Sequence, residues 1–252
     1  MIVMQYANNG SLLSYLDQNI NKLTWKDKIR HLKDIAYYLE YIHSAGLVHC
    51  DLHGGNIVIH NNKREIKSYI CDLGLSRLVN SRESTIRGVL PFIAPEVFHT
   101  CKFTQKSDVY SFGIIMYLMA TGEPPFRDRQ FDRDLACDIM GGLRPTMPDS
   151  APEEYKKLAE RCCDVDPDKR LDSWTLEDDI RDLYRKVETD DSVSSAWLTI
   201  YHNNVEPLSC LEKESKYSSK LLPTGDSAAG MKITIGYDGN QFTILISFSL
   251  MI

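Results

Sequence analysis

One segment of this sequence can be placed only in the interior of a folded domain. Residues 108–121 read Asp-Val-Tyr-Ser-Phe-Gly-Ile-Ile-Met-Tyr-Leu-Met-Ala-Thr and are apolar almost all round a helix. A helix of this kind is buried centrally instead of lying across a surface. Gly122 and the following Pro124-Pro125 end it. The rest of the fold must therefore supply elements that surround one buried helix.

Helices with a single apolar face are predicted around this segment. Ser11 caps a short helix, and Thr24 with Asp27 forms a capping-box-like start for a long amphipathic helix that ends near Gly46. Three further helices are expected, at about 129–140, 152–163 and 174–187.

Strand signals are fewer and shorter than helix signals. Ile57 to Ile59 and Ile66 to Cys71 flank a tight turn, which predicts a hairpin. Residues 72–96 show no regular pattern. The expected fold class is therefore α+β and mainly α, with a helical bundle and one short β-hairpin.

The composition excludes several classes of protein. The net charge of −6 gives no support for nucleic-acid binding, which needs a basic surface. Seven cysteines without a C-x-x-C pair indicate reduced thiols in a cytoplasmic protein. The N-terminus does not read as a signal peptide, and the most apolar stretch, 241–252, is too short for a membrane helix. We therefore expect neither a nucleic-acid nor a membrane partner.

Several short motifs follow one another in a specific order. A loop reads His49-Cys50-Asp51-Leu52-His53-Gly54-Gly55-Asn56, and after it come Asp72-Leu73-Gly74, Ala94-Pro95-Glu96, the segment 107–113, and 166–170. Each motif alone is weak, but their order and separation are specific. On these motifs the chain resembles the C-terminal lobe of a eukaryotic protein kinase, over about residues 1–187.

The resemblance implies a phosphotransferase that uses ATP, Mg²⁺ and a protein substrate. Asp51 would accept or orient the proton of the attacking hydroxyl, and Asn56 and Asp72 would offer oxygen ligands to Mg²⁺. In isolation, Asp51 and Asn56 would be read as turn formers. The motifs in register favour the catalytic interpretation.

Two histidines in the loop have different expected roles. His53 occupies a position where many family members carry lysine, so it is a candidate donor to the γ-phosphate; a solvent-exposed loop histidine is an equal alternative. His49 resembles the family's structural histidine, which packs and hydrogen-bonds, because Asp51 already fills the position of the base.

Other matching residues are architectural or face the nucleotide. Glu96 and Arg170 fall where the family forms a buried ion pair, and Asp108 falls where the family anchors the catalytic-loop backbone. The candidate residues on the adenine side belong to the hinge and to the apolar floor beneath the adenine. At the apolar positions among them, plain core packing is an alternative. The candidates are Met4, Gln5, Ala7, Ser11 and Val58.

Some positions depart from the family pattern. Cys50 replaces the usual arginine of the catalytic loop, which disfavours regulation by a phosphorylated activation loop; contact of a loop phosphate with Arg77, Arg82 or Arg87 is the alternative. Only three residues precede Met4, where the family has a Gly-rich loop, a strand lysine and a helix glutamate. We therefore expect an N-truncated kinase domain.

The expected organisation has three parts. Residues 1–7 are the hinge and the end of the last N-lobe strand, 8–187 the C-lobe, and 188–252 a largely disordered tail with a candidate hairpin at 231–252. An exposed hinge strand predicts self-association or a partner protein. The function expected is phosphoryl transfer to a protein hydroxyl of serine or threonine; the alternative is a catalytically inactive, pseudokinase-like binding module.

Overall fold

The apolar segment forms the central helix of a mainly helical domain. The computed structural model describes residues 6–79 and 86–189, and the strands 231–237 and 242–248. Its helices confirm the mainly α class and are, in chain order, α1 (Leu12–Asn19), α2 (Trp25–Ser44), α3 (Pro95–Thr100), α4 (Gln105–Thr121), α5 (Arg133–Met140), α6 (Glu153–Cys162) and α7 (Ser173–Thr189).

The strands are short and pair in three small antiparallel sheets. They are β1 (Leu47–Val48), β2 (Ile57–Asn61), β3 (Ile66–Ile70), β4 (Arg77–Leu78), β5 (Ile86–Arg87), β6 (Met231–Tyr237) and β7 (Phe242–Phe248). β2 and β3 form the predicted hairpin, with Ile57 opposite Ile70. β1 pairs with β4, and β7 lies between β5 and β6.

The central helix α4 is buried along almost its whole length. It begins three residues earlier than its apolar run because Thr104 and Ser107 form a capping box. It ends at Gly122, whose φ of 71° is the left-handed conformation that glycine adopts freely. Tyr155 of α6 is fully buried and donates its hydroxyl hydrogen to Met116 O at 2.6 Å.

The long helix α2 packs against α7, β3 and α4. The predicted capping box is present, since Asp27 N donates to Thr24 Oγ1 and Thr24 N donates to Asp27 Oδ2, both at 3.1 Å. Lys28 lies on the buried face and donates from Nζ to Ala120 O, near the end of α4, at 2.8 Å. Burial lowers the Lys28 pKa from 10.5 to about 7.

Two sequence expectations differ from the structure. The helix expected at 129–140 starts only at Arg133, because the Asp132 carboxylate accepts from Leu135 N and caps it there. The segment 72–96 is not wholly irregular, since it contains β4 and β5, which pair with strands distant in sequence. Such pairing has no local pattern from which to predict it.

A buried ion pair ties α3 to the loop before α7. Arg170 donates from Nη1 to Glu96 Oε1 at 2.8 Å and from Nη2 to Oε2 at 2.7 Å. The Arg170 side chain is 0% exposed, and its remaining donors reach Asp164 O and Lys106 O. The pair therefore holds two segments that are distant in sequence.

Some predicted features lie outside the described residues. These are hinge residues Met4 and Gln5 and the tail segment 190–230. In the part of the chain that the structure describes, no helix has the length and apolar character needed to cross a membrane.

We predict that Lys28 makes folding stability depend on pH. Between about pH 7 and 10.5 the unfolded chain binds the Lys28 proton more tightly than the folded chain, so the Lys28 contribution to stability increases as pH rises through this window. The free energy of unfolding of wild type, minus that of Lys28→Met, should rise by roughly 1 kcal/mol per pH unit in urea titrations at pH 7 to about 10.

The matched control is Lys26→Met, which removes a 39% exposed ammonium from the same helix. This control shows how much of the change in the free energy of unfolding comes from removing a lysine charge alone. Parallel stability curves for wild type and Lys28→Met across this pH range would contradict the burial effect.

We predict that Glu96 and Arg170 are strongly coupled. Glu96→Ala leaves a buried guanidinium unpaired and should lower the free energy of unfolding by about 3–5 kcal/mol. The double variant Glu96→Ala/Arg170→Met should lose less than the sum of its single variants. As a control, the exposed pair Arg161–Asp179 should contribute no more than about 1 kcal/mol. Additive losses at Glu96 and Arg170 would overturn the coupling.

Candidate functional site

The candidate site begins where the β2–β3 hairpin opens. Asn56 immediately precedes β2 and Asp72 follows β3 by two positions. Cys71 N donates to Asn56 O at 2.9 Å, which closes the open end of the hairpin. The antiparallel register therefore brings the two predicted metal ligands, Asn56 and Asp72, to the same end of the hairpin.

Asn56 is joined directly to Asp51. Its Nδ2 donates to Asp51 O at 2.9 Å and to Asp51 Oδ2 at 3.1 Å. Both residues are buried. Because these contacts use both amide hydrogens, the Asn56 Oδ1 atom is the part of the side chain left to act as a ligand.

The backbone of the turn at Asp72 determines how its carboxylate is held. Its φ of 58° is left-handed, which aspartate tolerates better than most residues. Its Oδ1 accepts from Gly74 N at 3.1 Å, and the residue is exposed. The carboxylate is therefore held by the turn and remains open to a ligand from solvent.

Asp108 anchors the backbone of the loop that carries the candidate residues 49–56. Its Oδ2 accepts from His49 N at 2.7 Å and lies 2.9 Å from His43 Nε2, and its Oδ1 accepts from Cys50 N at 3.0 Å. Asp108 is 1% exposed. A buried carboxylate needs such donors to offset its loss of hydration.

His49 connects the loop to the hairpin end. Its Nδ1 accepts from Asp51 N at 3.3 Å and its Nε2 lies 3.2 Å from Cys71 O, so the ring carries its hydrogen on Nε2. The imidazole is fully buried and both its nitrogens have partners. This arrangement fits a positioning residue and leaves no free nitrogen to act as a base.

Cys50 is strained and chemically inert. Its φ is 71°, unusual for a residue with a side chain. Its Sγ contacts Val48 O at 3.5 Å, and burial raises the pKa of the thiol to about 12. The thiol therefore stays protonated and unreactive. A cysteine side chain is neutral or negative, so it cannot supply the positive charge of the arginine that the family pattern has here.

His53 faces Asp51 instead of solvent. Its Nδ1 accepts from Gly55 N at 3.0 Å, and its Nε2 lies 3.7 Å from Asp51 Oδ1. The side chain is only 14% exposed. The alternative of a solvent-exposed loop histidine is therefore wrong, and the Nε2 atom is placed beside the candidate catalytic carboxylate.

Gly88 makes a close approach that the sequence did not single out as functional. Its φ is 142°, and a Cβ added there would lie 3.4 Å from Asp51 Oδ1 and 3.3 Å from Ile93 Cγ1. The segment after β5 therefore passes directly beside Asp51. A side chain at this position would be strained and would crowd the carboxylate.

Only part of the predicted nucleotide side lies among the described residues. Segment 9–11 runs beside β2, with Asn9 N donating to Ile59 O at 3.1 Å and a bridge between Ser11 and Val58. Ser11 Oγ caps α1 by accepting from Ser14 N. Ala7 and Val58 are half-buried. Ser11 and Val58 are thus brought together as neighbours.

The residues at the hairpin end suit Mg²⁺. Among the described residues there is no group of three or more His, Cys, Asp or Glu side chains that could hold a metal. Mg²⁺ needs no such cage, because it binds through one or two protein oxygens and completes its shell with water and phosphate. The Asn56 amide oxygen and the Asp72 carboxylate supply two hard oxygens of that kind.

Sequence reasoning missed His43 as part of the Asp108 network. One signal was available, because His43 follows Leu39 by four residues and so continues the buried face of α2. A polar residue on such a face needs a buried partner, and the structure identifies that partner as Asp108.

Comparison with known proteins shows the family. A family model described as protein tyrosine and serine/threonine kinase matches residues 1–180. The chain is 33% identical over 176 residues to a "Probable serine/threonine-protein kinase" of Dictyostelium discoideum, covering 67% of this chain and 16% of that protein. It is 32% identical over 187 residues to the "Dual specificity protein kinase splA" of the same organism, covering 67% and 8%.

A third relative is the "RGS domain-containing serine/threonine-protein kinase A" of Dictyostelium discoideum, 30% identical over 167 residues, covering 66% of this chain and 14% of that protein. The chain thus spans a small fraction of the length of these relatives. The family match covers most of the chain and includes every motif described above. The chain therefore belongs to the protein tyrosine and serine/threonine kinase family and is, by family, a protein kinase transferase.

Proposed function

We propose that this chain transfers the γ-phosphoryl group of ATP to a serine or threonine hydroxyl of a protein. The observation that carries the proposal is the double hydrogen bond from Asn56 Nδ2 to Asp51, at the hairpin end that also holds Asp72. It joins a candidate base to a candidate metal ligand in one buried unit. Phosphoryl transfer depends mainly on such positioning and on electrostatic stabilisation.

Asp51 is the residue that handles the substrate proton. Its backbone is held by His49 Nδ1 and its Oδ2 by Asn56, so the carboxylate has a defined orientation. The other oxygen, Oδ1, faces His53 and the close backbone of Gly88. Asp51 is positioned to accept a hydrogen bond from an attacking hydroxyl and to take its proton as the bond to phosphorus forms.

Asn56 and Asp72 would hold Mg²⁺ through Oδ1 of the amide and the carboxylate. The metal would supply positive charge that offsets the negative charge of the ATP phosphates. The protein contributes orientation, since Asp51 directs the Asn56 amide and the Gly74 amide directs the Asp72 carboxylate.

His53 would donate from Nε2 to the phosphoryl group as it moves. Because Nδ1 already accepts from Gly55 N, the ring hydrogen of the neutral form lies on Nε2, on the Asp51 side. A donor at this position would stabilise charge that develops on the phosphoryl oxygens.

The nucleotide base would lie against the segment before α1. Ala7, Ser11 and Val58 are the candidates among the described residues, and Met4 and Gln5 complete the predicted set. The Ser11–Val58 bridge supports this placement because it fixes the segment over the start of the hairpin.

Serine or threonine specificity and a cytoplasmic location are also part of the proposal. The names of the relatives support serine or threonine specificity, and one of these names states dual specificity. Free thiols among the described cysteines support the cytoplasmic location.

We predict a division of roles between Asp51 and Asp72. Asp51→Asn should lower the rate of phosphate transfer to a generic serine/threonine substrate by about 10²–10⁴, because the base is lost, and should leave Mg·ATP binding intact. Asp72→Asn should weaken Mg²⁺-dependent ATP binding, because a carboxylate ligand is lost. Radiolabelled phosphate transfer and calorimetric titration of Mg·ATP measure the two effects.

The control is Asp149→Asn, an exposed aspartate outside the site, which should change neither quantity. Circular dichroism of each variant tests for retained folding. Wild-type transfer by Asp51→Asn would remove Asp51 from the mechanism. A folded wild type that neither binds Mg·ATP nor transfers phosphate would favour the binding-module alternative.

We predict that His53 acts as a hydrogen-bond donor during transfer. His53→Leu should lower kcat by on the order of 10², because a donor to developing charge is removed. His53→Lys should retain most of the activity, because an ammonium can donate from the same position. If His53→Leu has the wild-type kcat, the ring serves only to cap Gly55 N.

A further inference from the structure

Two successive glycines, Gly54 and Gly55, follow His53 in the loop of candidate residues. Both lie in a single turn of 3₁₀ helix, and neither has the positive φ that favours glycine. The backbone conformation therefore does not require glycine at either position. The reason for glycine must lie in the atoms that a side chain would meet.

The two glycines have different neighbours. A Cβ at Gly54 would lie 2.7 Å from Leu118 Cδ2, so Gly54 lets the loop pack closely against α4. A Cβ at Gly55 would lie 2.7 Å from His53 Cε1 and 2.9 Å from His53 Nδ1, and the third nearest atom also belongs to that imidazole. Gly55 therefore leaves room for one group, the ring of His53.

A second ring limits where the imidazole of His53 can lie. The ring centroids of His53 and Phe92 are 6.1 Å apart and their planes meet at 55°, which is an ordinary contact between aromatic rings. Phe92 is buried, and its carbonyl oxygen accepts a hydrogen bond from Ser111 Oγ of α4 at 2.7 Å. Because Phe92 is tied to α4, the displacement that a Cβ at Gly55 would cause falls on the His53 side chain itself.

We propose that Gly55 is a positioning residue for His53, because the absence of a side chain there lets the imidazole lie against Gly55 with its Nε2 beside Asp51. The Gly55 N–H donates to His53 Nδ1 at 3.0 Å, and His53 Nε2 lies 3.7 Å from Asp51 Oδ1. Gly55 thus supplies both the hydrogen bond that sets the tautomer and the space that the ring needs. The inference rests on the proposed role of His53 as a donor during phosphoryl transfer.

Glycine at position 55 is then needed only when residue 53 is histidine. A lysine side chain has no ring and no acceptor, so it neither accepts from the Gly55 N–H nor lies flat against Gly55. Its ammonium stands at the end of a flexible stem and can donate in several directions. Gly55→Ala should therefore impair the wild type and be tolerated in His53→Lys.

The first test is a double-variant cycle of phosphate transfer. Gly55→Ala should lower kcat by about tenfold, because the donor is displaced, and should change the KM for ATP by less than about twofold. In the His53→Lys background the same substitution should lower kcat by less than about twofold. Equal losses in the two backgrounds would overturn the proposal, as would a wild-type kcat for Gly55→Ala.

The matched control is Gly141→Ala, at an exposed glycine with a φ of −73° at the end of α5. It makes the same chemical change outside the site, and kcat should be the same as in wild type. A loss as large as that of Gly55→Ala would show that the effect is not specific to the position beside His53.

The second test observes the ring directly and needs no activity. In ¹⁵N spectra of the histidine side chains in alkaline buffer, His53 should carry its hydrogen on Nε2, and its resonances are identified by their absence in His53→Lys. Gly55→Ala should shift them, because Nδ1 loses the Gly55 N–H, and should leave those of His31 on α2 unchanged. Unchanged His53 resonances in Gly55→Ala would overturn the proposal.

The spectra also separate this inference from the proposed function. If the folded wild type transfers no phosphate, the proposed function fails, and the His53 resonances still decide whether Gly55 positions the ring. If Gly55→Ala alone does not fold, the double variant Gly55→Ala/His53→Lys decides the question. That variant should fold, because the clash with the imidazole has been removed, and its failure to fold would overturn the proposal.

Discussion

The geometry of the candidate site depends on one buried carboxylate, that of Asp108. It accepts hydrogen bonds from two successive backbone amides, His49 N and Cys50 N, and contacts His43 Nε2. Two adjacent N–H groups can converge on one carboxylate only if the chain turns sharply between them. The positive φ of Cys50 provides that turn, and it is tolerated because the hydrogen bonds offset its strain. Without Asp108, these hydrogen bonds would be lost and nothing described here would offset the strain at Cys50.

Asp108 is connected to the candidate base and to a candidate metal ligand through a short series of contacts. His49, held at its amide by Asp108, supports the amide of Asp51 and reaches Cys71 O with its other nitrogen. Cys71 closes the hairpin onto Asn56, and the Asn56 amide returns to the Asp51 carboxylate. The candidate base Asp51 and one candidate metal ligand, Asn56, are therefore parts of one hydrogen-bonded ring of contacts, and the other candidate ligand, Asp72, directly follows Cys71 in the chain. This ring explains why polar residues are buried here at a tolerable cost.

Local sequence patterns predicted the elements of the fold well, and the contacts between them less well. Three features were predicted correctly because each is determined by neighbours in sequence: the apolar run of α4, the capping box of α2 and the β2–β3 hairpin. The start of α5 at Arg133 and the strands β4 and β5 were not, since they depend on a cap and on distant pairing partners. At the site, residue types and order indicated Asp51, Asn56 and Asp72. The approach of Gly88 to Asp51 and the participation of His43 needed the three-dimensional arrangement.

The central helix has a buried charged side chain close to each of its ends, and this has a consequence for its macrodipole. Asp108 lies in the first turn, where a negative charge balances the positive helix end, and Lys28 reaches Ala120 O, where a positive charge balances the negative end. The two ends are balanced differently, however. Because the Lys28 pKa is about 7, its charge at the C-terminal end varies with pH near neutrality. Asp108 lies at the opposite end of α4, where it hydrogen-bonds the loop of candidate residues, so a change in the Lys28 charge acts at the end of the helix that is farther from that loop.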